Sequence, residues 1–118
     1  MKSGLFVVLV AAVGTTSCQP ALDVDVTVVE GVPHFTIEDG RGACLKQVSV
    51  YSEGPPSPTY VWSIVTKAAC SDLREFDYGK RIVGFEVFDG PKTLVSGQEY
   101  TVRVDAPGRD GLSRFVAS

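Results

Sequence analysis

Few residues in this chain could carry out acid–base or nucleophilic chemistry. The sequence has 118 residues and a single histidine, His34, whereas such catalysis needs a tuned group that a partner orients. A Ser-His-Asp or Cys-His system would have to be built around His34, and no GxSxG motif surrounds a serine. We therefore expect His34 to be a surface residue and the protein not to be an enzyme. A cleft joining His34 to a carboxylate would favour the opposite conclusion.

Acidic residues form the second group with possible chemistry. On a strand, Asp23 and Asp25 would lie about 6–7 Å apart on one face, a spacing that could hold a cation or serve as glycosidase-type carboxylates. The stretches EDGRG (38–42) and DAPGRDG (105–111) are oxygen-rich, as calcium loops are, but lack the EF-hand spacing. We interpret the aspartates as the polar face of an edge strand and the two stretches as turns. No metal or cofactor is expected.

The N-terminal segment has the composition of an export signal. Lys2 is followed by the apolar run LFVVLVAAV (5–13) and by the small residues GTTS (14–17). The run is shorter than the ~20 residues that a transmembrane helix requires. We therefore predict a signal peptide over residues 1–17 and a single exported domain over residues 18–118.

The residues before Cys18 resemble the lipobox of bacterial lipoproteins. Thr16 and Ser17 fit its small positions, whereas Thr15 stands where the family most often has leucine. The resemblance implies cleavage after Ser17, a diacylglycerol on the Cys18 sulfur and an acylated amine, and several acyl chains hold a protein stably on a membrane. Gln19, by analogy with the enteric sorting rule, favours the outer membrane, facing the periplasm. Ordinary secretion, with cleavage near Ser17 or Gln19, is the alternative.

Lipidation would also explain the odd number of cysteines. The chain has three, and an odd count in an exported protein requires a free thiol, an intermolecular bridge or a modification. With Cys18 lipidated, Cys44 and Cys70 remain to pair in an oxidising compartment. A metal site is disfavoured because no CxxC or CxxH spacing occurs.

The exported part has the periodicity of an all-β protein. Stretches that predict strands are ALDVDVTVV, HFTIE, CLKQVSVYS, TYVWSIVT, RIVGFEVFD, EYTVRV and LSRFVA. Turns are expected at Asp39-Gly40, Asp89-Gly90 and Asp110-Gly111, and only 66–76 could hold a helical turn. This pattern predicts an antiparallel β-sandwich of about seven strands.

The C-terminal third resembles fibronectin type III and immunoglobulin-like domains. The matching residues are Leu94, Gly97, Tyr100, Val102 and Val104. The resemblance implies that the Tyr100 hydroxyl bonds back to the preceding loop, as a tyrosine corner. From the alternation along the predicted strands, we expect Trp62, Phe85, Tyr100, Val102 and Val104 to belong to the core. The chain also resembles small bacterial lipoproteins in three short stretches of sequence: Trp62-Ser63-Ile64, Tyr78-Gly79 and Gly84-Phe85. This likeness implies no activity.

Charge and loop composition narrow the possible partners. The chain carries 11 basic and 14 acidic residues, a net charge of −3, and the basic residues are scattered, so nucleic acid is not an expected partner. We expect a non-enzymatic, lipid-anchored module of the cell envelope with a binding or structural role, for which the sequence specifies no ligand and a protein of the envelope is one candidate partner. The alternative is a freely secreted binding or inhibitor module that makes its contact through the proline-rich loop Ser52–Thr59.

Overall fold

The computed structural model describes residues 21–38 and 43–118, which form eight strands and no helix. The strands are β1 (Asp23–Val29), β2 (Val32–Glu38), β3 (Gln47–Ser52), β4 (Thr59–Thr66), β5 (Glu75–Asp77), β6 (Phe85–Asp89), β7 (Glu99–Ala106) and β8 (Arg109–Val116). The prediction of an all-β antiparallel sandwich is confirmed. Seven strands were expected, and the additional one is β5.

Two antiparallel sheets pack face to face. The smaller has the order β1-β2-β5, and the larger has the order β6-β4-β3-β7-β8. Alternating residues of each strand point into the space between the sheets, so that β2 contributes Phe35 and Ile37 while β3 contributes Val48 and Val50. The predicted core residues are all buried: Trp62, Phe85, Tyr100, Val102 and Val104.

Aromatic rings connect the two sheets within the core. Phe35 of β2 lies 5.2 Å from Phe76 of β5 and 5.7 Å from Phe115 of β8, measured between ring centroids. Trp62 of β4 lies edge-on to Tyr78 at 5.2 Å. Such pairs add about 0.5–1.5 kcal/mol each beyond the burial of their area. Phe76 and Tyr78 therefore hold β5 and the loop that follows it against both sheets.

The segment from Thr66 to β5 does not form the helical turn that its sequence allowed. Ser71 instead pairs with Leu45 through two backbone hydrogen bonds of 2.7 and 2.8 Å. Leu45 is completely buried, so this pairing lets the segment run extended along the edge of the core and enter β5.

The pair Asp110-Gly111 was predicted as a turn, and this prediction is wrong. Both residues lie inside β8, and the chain reverses before them, at Pro107 and Gly108, where φ is +79°. Gly111 has another role, because the chain that leads into β1 passes directly over it. The backbone N–H of Leu22 donates a 2.9 Å hydrogen bond to the Asp110 carbonyl, and a Cβ on Gly111 would meet the Leu22 carbonyl oxygen at 2.5 Å.

Candidate functional site

His34 sits between two carboxylates on the outer face of the smaller sheet. Its Nδ1 lies 2.7 Å from Asp77 Oδ1, and its Nε2 lies 3.2 Å from Glu75 Oε1. The hydrogen bond with Asp77 is the main cause of a raised His34 pKa. The protonated ring can donate to both carboxylates at once, so the arrangement ties β5 to β2.

His34 was expected to be a surface residue, and its exposure and contacts can be compared with that expectation. His34 is partly exposed, with 34 % of its side chain accessible, and together with Glu75 and Asp77 it lines a groove of about 350 Å³. A general base needs one ring nitrogen directed at the group that loses the proton. Both nitrogens of His34 face carboxylates instead, so the trio has the geometry of a clamp between strands. Sequence periodicity did not indicate this contact, since Glu75 and Asp77 lie on the unexpected strand β5.

The rest of that outer face is acidic. Asp23 and Asp25 are exposed on β1, an edge strand, as predicted. Within residues 21–38 and 43–118, no group of three or more His, Cys, Asp or Glu side chains is arranged so that it could hold a metal ion. The acidic residues of the face are Asp23, Asp25, Glu38, Glu75 and Asp77.

The outer face of the larger sheet carries aromatic and basic side chains, unlike the acidic outer face of the smaller sheet. The rings of Tyr51 and Tyr60 lie 5.2 Å apart, and burial is the main cause of a raised Tyr51 pKa. Arg103 donates to Asp105 at 3.0 Å and to Asp110 at 2.9 Å. Tyrosine and arginine are enriched where proteins contact one another, so this face has the composition of a binding surface.

A groove runs along the edge strand β6 of the larger sheet. Its volume is about 670 Å³, and apolar side chains, including Ile64 and Phe85, form part of its lining. The charged residues of the lining are Lys67, Lys80, Arg81 and Glu86. Three cations against one carboxylate make this groove locally basic in a chain that is acidic overall.

Two tyrosine hydroxyls fasten the loops around these surfaces. The Val95 backbone N–H donates to the Tyr100 hydroxyl at 2.9 Å, which is the contact expected between this tyrosine and the preceding loop. The Tyr78 hydroxyl lies 2.6 Å from the Lys92 carbonyl and 3.2 Å from the Val61 carbonyl. Burial raises the Tyr78 pKa to about 12.

The cysteine predictions fall partly within the described residues. The sulfur atoms of Cys44 and Cys70 lie at disulfide-bonding distance, with Cα atoms 4.9 Å apart. Cys18 and the predicted signal segment lie outside the described residues. Within the loop Ser52–Thr59, every residue from Glu53 onward is exposed.

Neither family models, nor curated proteins, nor solved structures give a match to this chain. Among the residues that the structure describes, no helix is long and apolar enough to cross a membrane.

Proposed function

We propose that this protein is a non-enzymatic lipoprotein of the cell envelope, whose β-sandwich is held on a membrane by lipid on Cys18 and binds or supports another protein. The observation that carries the proposal is the position of Leu22. This residue is buried, with 3 % of its surface accessible, and it is hydrogen-bonded to the start of β8. A buried residue of the domain therefore lies only four positions after the candidate lipid site.

A tether this short determines which part of the domain faces the membrane. Four residues span at most about 14 Å when fully extended. β1 runs away from Leu22, so the body of the sandwich lies on the side away from the anchor. The β1–β2 turn and the loop Ser52–Thr59 are at the opposite end, where they would be presented to a partner.

The experiment that tests the proposal is an intact mass measurement of the protein purified from its native host, with and without reduction. We expect a chain that begins at Cys18 and carries the mass of diacylglycerol plus one acyl group. Treatment with reductant should add two hydrogens if Cys44 and Cys70 are bonded. An unmodified chain with a different first residue would disprove the lipoprotein proposal. A Cys18→Ser variant controls for lipid attached elsewhere.

The second candidate is a freely secreted binding or inhibitor module. The observation that favours it is the exposed loop from Glu53 to Thr59, which contains Pro55, Pro56 and Pro58. A proline-rich loop loses little conformational freedom when it binds. This candidate predicts that the mature protein is recovered from the medium without acyl mass. It also predicts that replacing residues 54–58 with Gly and Ser abolishes capture of its partner, whereas Thr36→Gln on the outer face of the smaller sheet does not.

A further inference from the structure

Leu22 marks one end of the sandwich, which we call the Leu22 end. The residues of the larger sheet that lie at this end can be identified strand by strand. Backbone hydrogen bonds and paired residues connect its strands in a line: Leu22 to Asp110, Asp110 to Asp105, Asp105 to Lys46, Lys46 to Thr66, and Lys67 to Gly84. Gly84 therefore lies at the Leu22 end, on the side of β6. β6 and β8 are the two edges of the five-stranded sheet, and at the usual spacing between strands they lie about 19 Å apart.

The loop beside Gly84 exposes an aliphatic side chain at this end. Val83 is 97 % accessible, the highest value among the exposed large hydrophobic residues of the described chain. Lys80 and Arg81 lie three and two residues before it, separated from it by the half-buried Ile82, and both are exposed. The backbone N–H of Lys67 donates to the Gly84 carbonyl at 2.8 Å, which brings a third cation to the same corner. We call Lys67, Lys80, Arg81 and Val83 the basic corner.

The basic corner has the chemistry of a membrane contact. Basic residues near an anionic bilayer are attracted to its surface, and exposed apolar side chains beside them enter the headgroup layer. The basic groove along β6 is lined by the same three cations and by Glu86, so its excess of positive charge favours headgroup phosphates. The carboxylates of Asp23 and Glu38 also lie at the Leu22 end, but on the smaller sheet. An anionic surface therefore favours a tilt that lowers the basic corner and raises the acidic face.

We propose that the basic corner is a second membrane contact, which docks on anionic phospholipid and fixes the orientation of the domain. This inference rests on the proposed lipid anchor at Cys18. A tether raises the local concentration of the corner at the bilayer, so that a contact too weak to hold the free protein suffices to orient the anchored one. The opposite end then faces away from the membrane.

The test places a tryptophan at the basic corner of the lipidated protein purified from its host. Val83→Trp is reconstituted with vesicles containing phosphatidylglycerol, part of the lipid being brominated in its acyl chains. Val29→Trp is the matched control, because Val29 is an exposed valine of β1 at the opposite end. Trp62 is buried and contributes the same background to both variants. We expect blue-shifted and strongly quenched emission from position 83 and neither effect at position 29.

The lipid and charge dependence completes the test. Adding Lys80→Glu and Arg81→Glu to Val83→Trp should abolish the blue shift, as should replacing phosphatidylglycerol with phosphatidylcholine. If the acylated protein stays on the vesicles but position 83 emits as position 29 does, the second contact is disproved while the anchor stands. If the mass spectrum shows no acyl group on Cys18, both proposals fail.

Discussion

The imidazole of His34 on β2 and the carboxylate of Asp77 on β5 face each other across neighbouring strands, with 2.7 Å between Nδ1 and Oδ1. β5 contains three residues and, among the strands that the structure describes, pairs with β2 alone. Its attachment to the sandwich therefore depends on few backbone hydrogen bonds, on the buried ring of Phe76, and on this side-chain contact.

The first prediction concerns the pH dependence of stability. The His34 pKa is raised above 6.5 in the folded protein, chiefly by the hydrogen bond with Asp77 and also by Glu75. The contact therefore stabilises fully below pH 6.5, and its contribution disappears as the pH rises through the folded pKa. In urea titrations, His34→Gln should lower the free energy of unfolding more in mildly acidic than in mildly alkaline buffer.

The matched control for that measurement is Thr36→Gln, two residues further along the same outer face of β2. Thr36 is opposite Glu75 on the neighbouring strand, but its side chain does not ionise in this pH range. Its effect on stability should be the same at both pH values. An equal loss for His34→Gln at both pH values would show that the imidazole contributes only by packing.

The second prediction concerns Tyr78. Burial raises its pKa to about 12, and its hydroxyl lies 2.6 Å from the Lys92 carbonyl. Ionisation is thus more difficult in the folded than in the unfolded chain, so the free energy of unfolding should begin to fall as the pH passes 10.0 and continue to fall towards the folded pKa. Ultraviolet difference titration should show one tyrosine fewer ionising at high pH in Tyr78→Phe. The fall in the free energy of unfolding above pH 10.0 should also be smaller in the same variant.

Strands could be predicted from the sequence where apolar and polar residues alternate over a long stretch and one face is packed on the core. β1 and β7 have that pattern, with Val24 and Val26 or Val102 and Val104 facing inward, and both strands were predicted. β5 was missed because three residues, with Phe76 alone facing inward, carry no measurable period.

The contacts of His34 could not be predicted for a different reason. Its partners Asp77 and Glu75 lie 43 and 41 residues away in sequence, and only the pairing of β2 with β5 brings them together. Asp110-Gly111 shows the limit of local turn preferences. A glycine is needed there because Leu22, in the segment just before β1, passes close to it. A contact between residues so distant in sequence leaves no local pattern.

The third prediction follows from that approach. In Gly111→Ala the new Cβ would lie 2.5 Å from the Leu22 carbonyl oxygen and 3.0 Å from Val24 Cγ2. The start of β1 must move away from β8, and we expect a loss of about 1–3 kcal/mol in the free energy of unfolding, as for overpacked cores. Gly54→Ala is the control, because nothing lies within 4 Å of the added Cβ. Equal stability of the two variants in urea titrations would contradict the close packing of Leu22 on β8.

The fourth prediction concerns Cys44 and Cys70, which are 26 residues apart. A bond between them would restrict the unfolded chain, and in the chain-entropy estimate a loop of this length stabilises by about 3.5 kcal/mol. Replacing both residues with serine should lower the free energy of unfolding by roughly that amount, and reductant should lower that of the unmodified protein similarly. The double variant should not respond to reductant, which separates the cross-link from loss of side-chain packing. If Cys44 and Cys70 both react as thiols in the native, unreduced protein, the bond between them is contradicted.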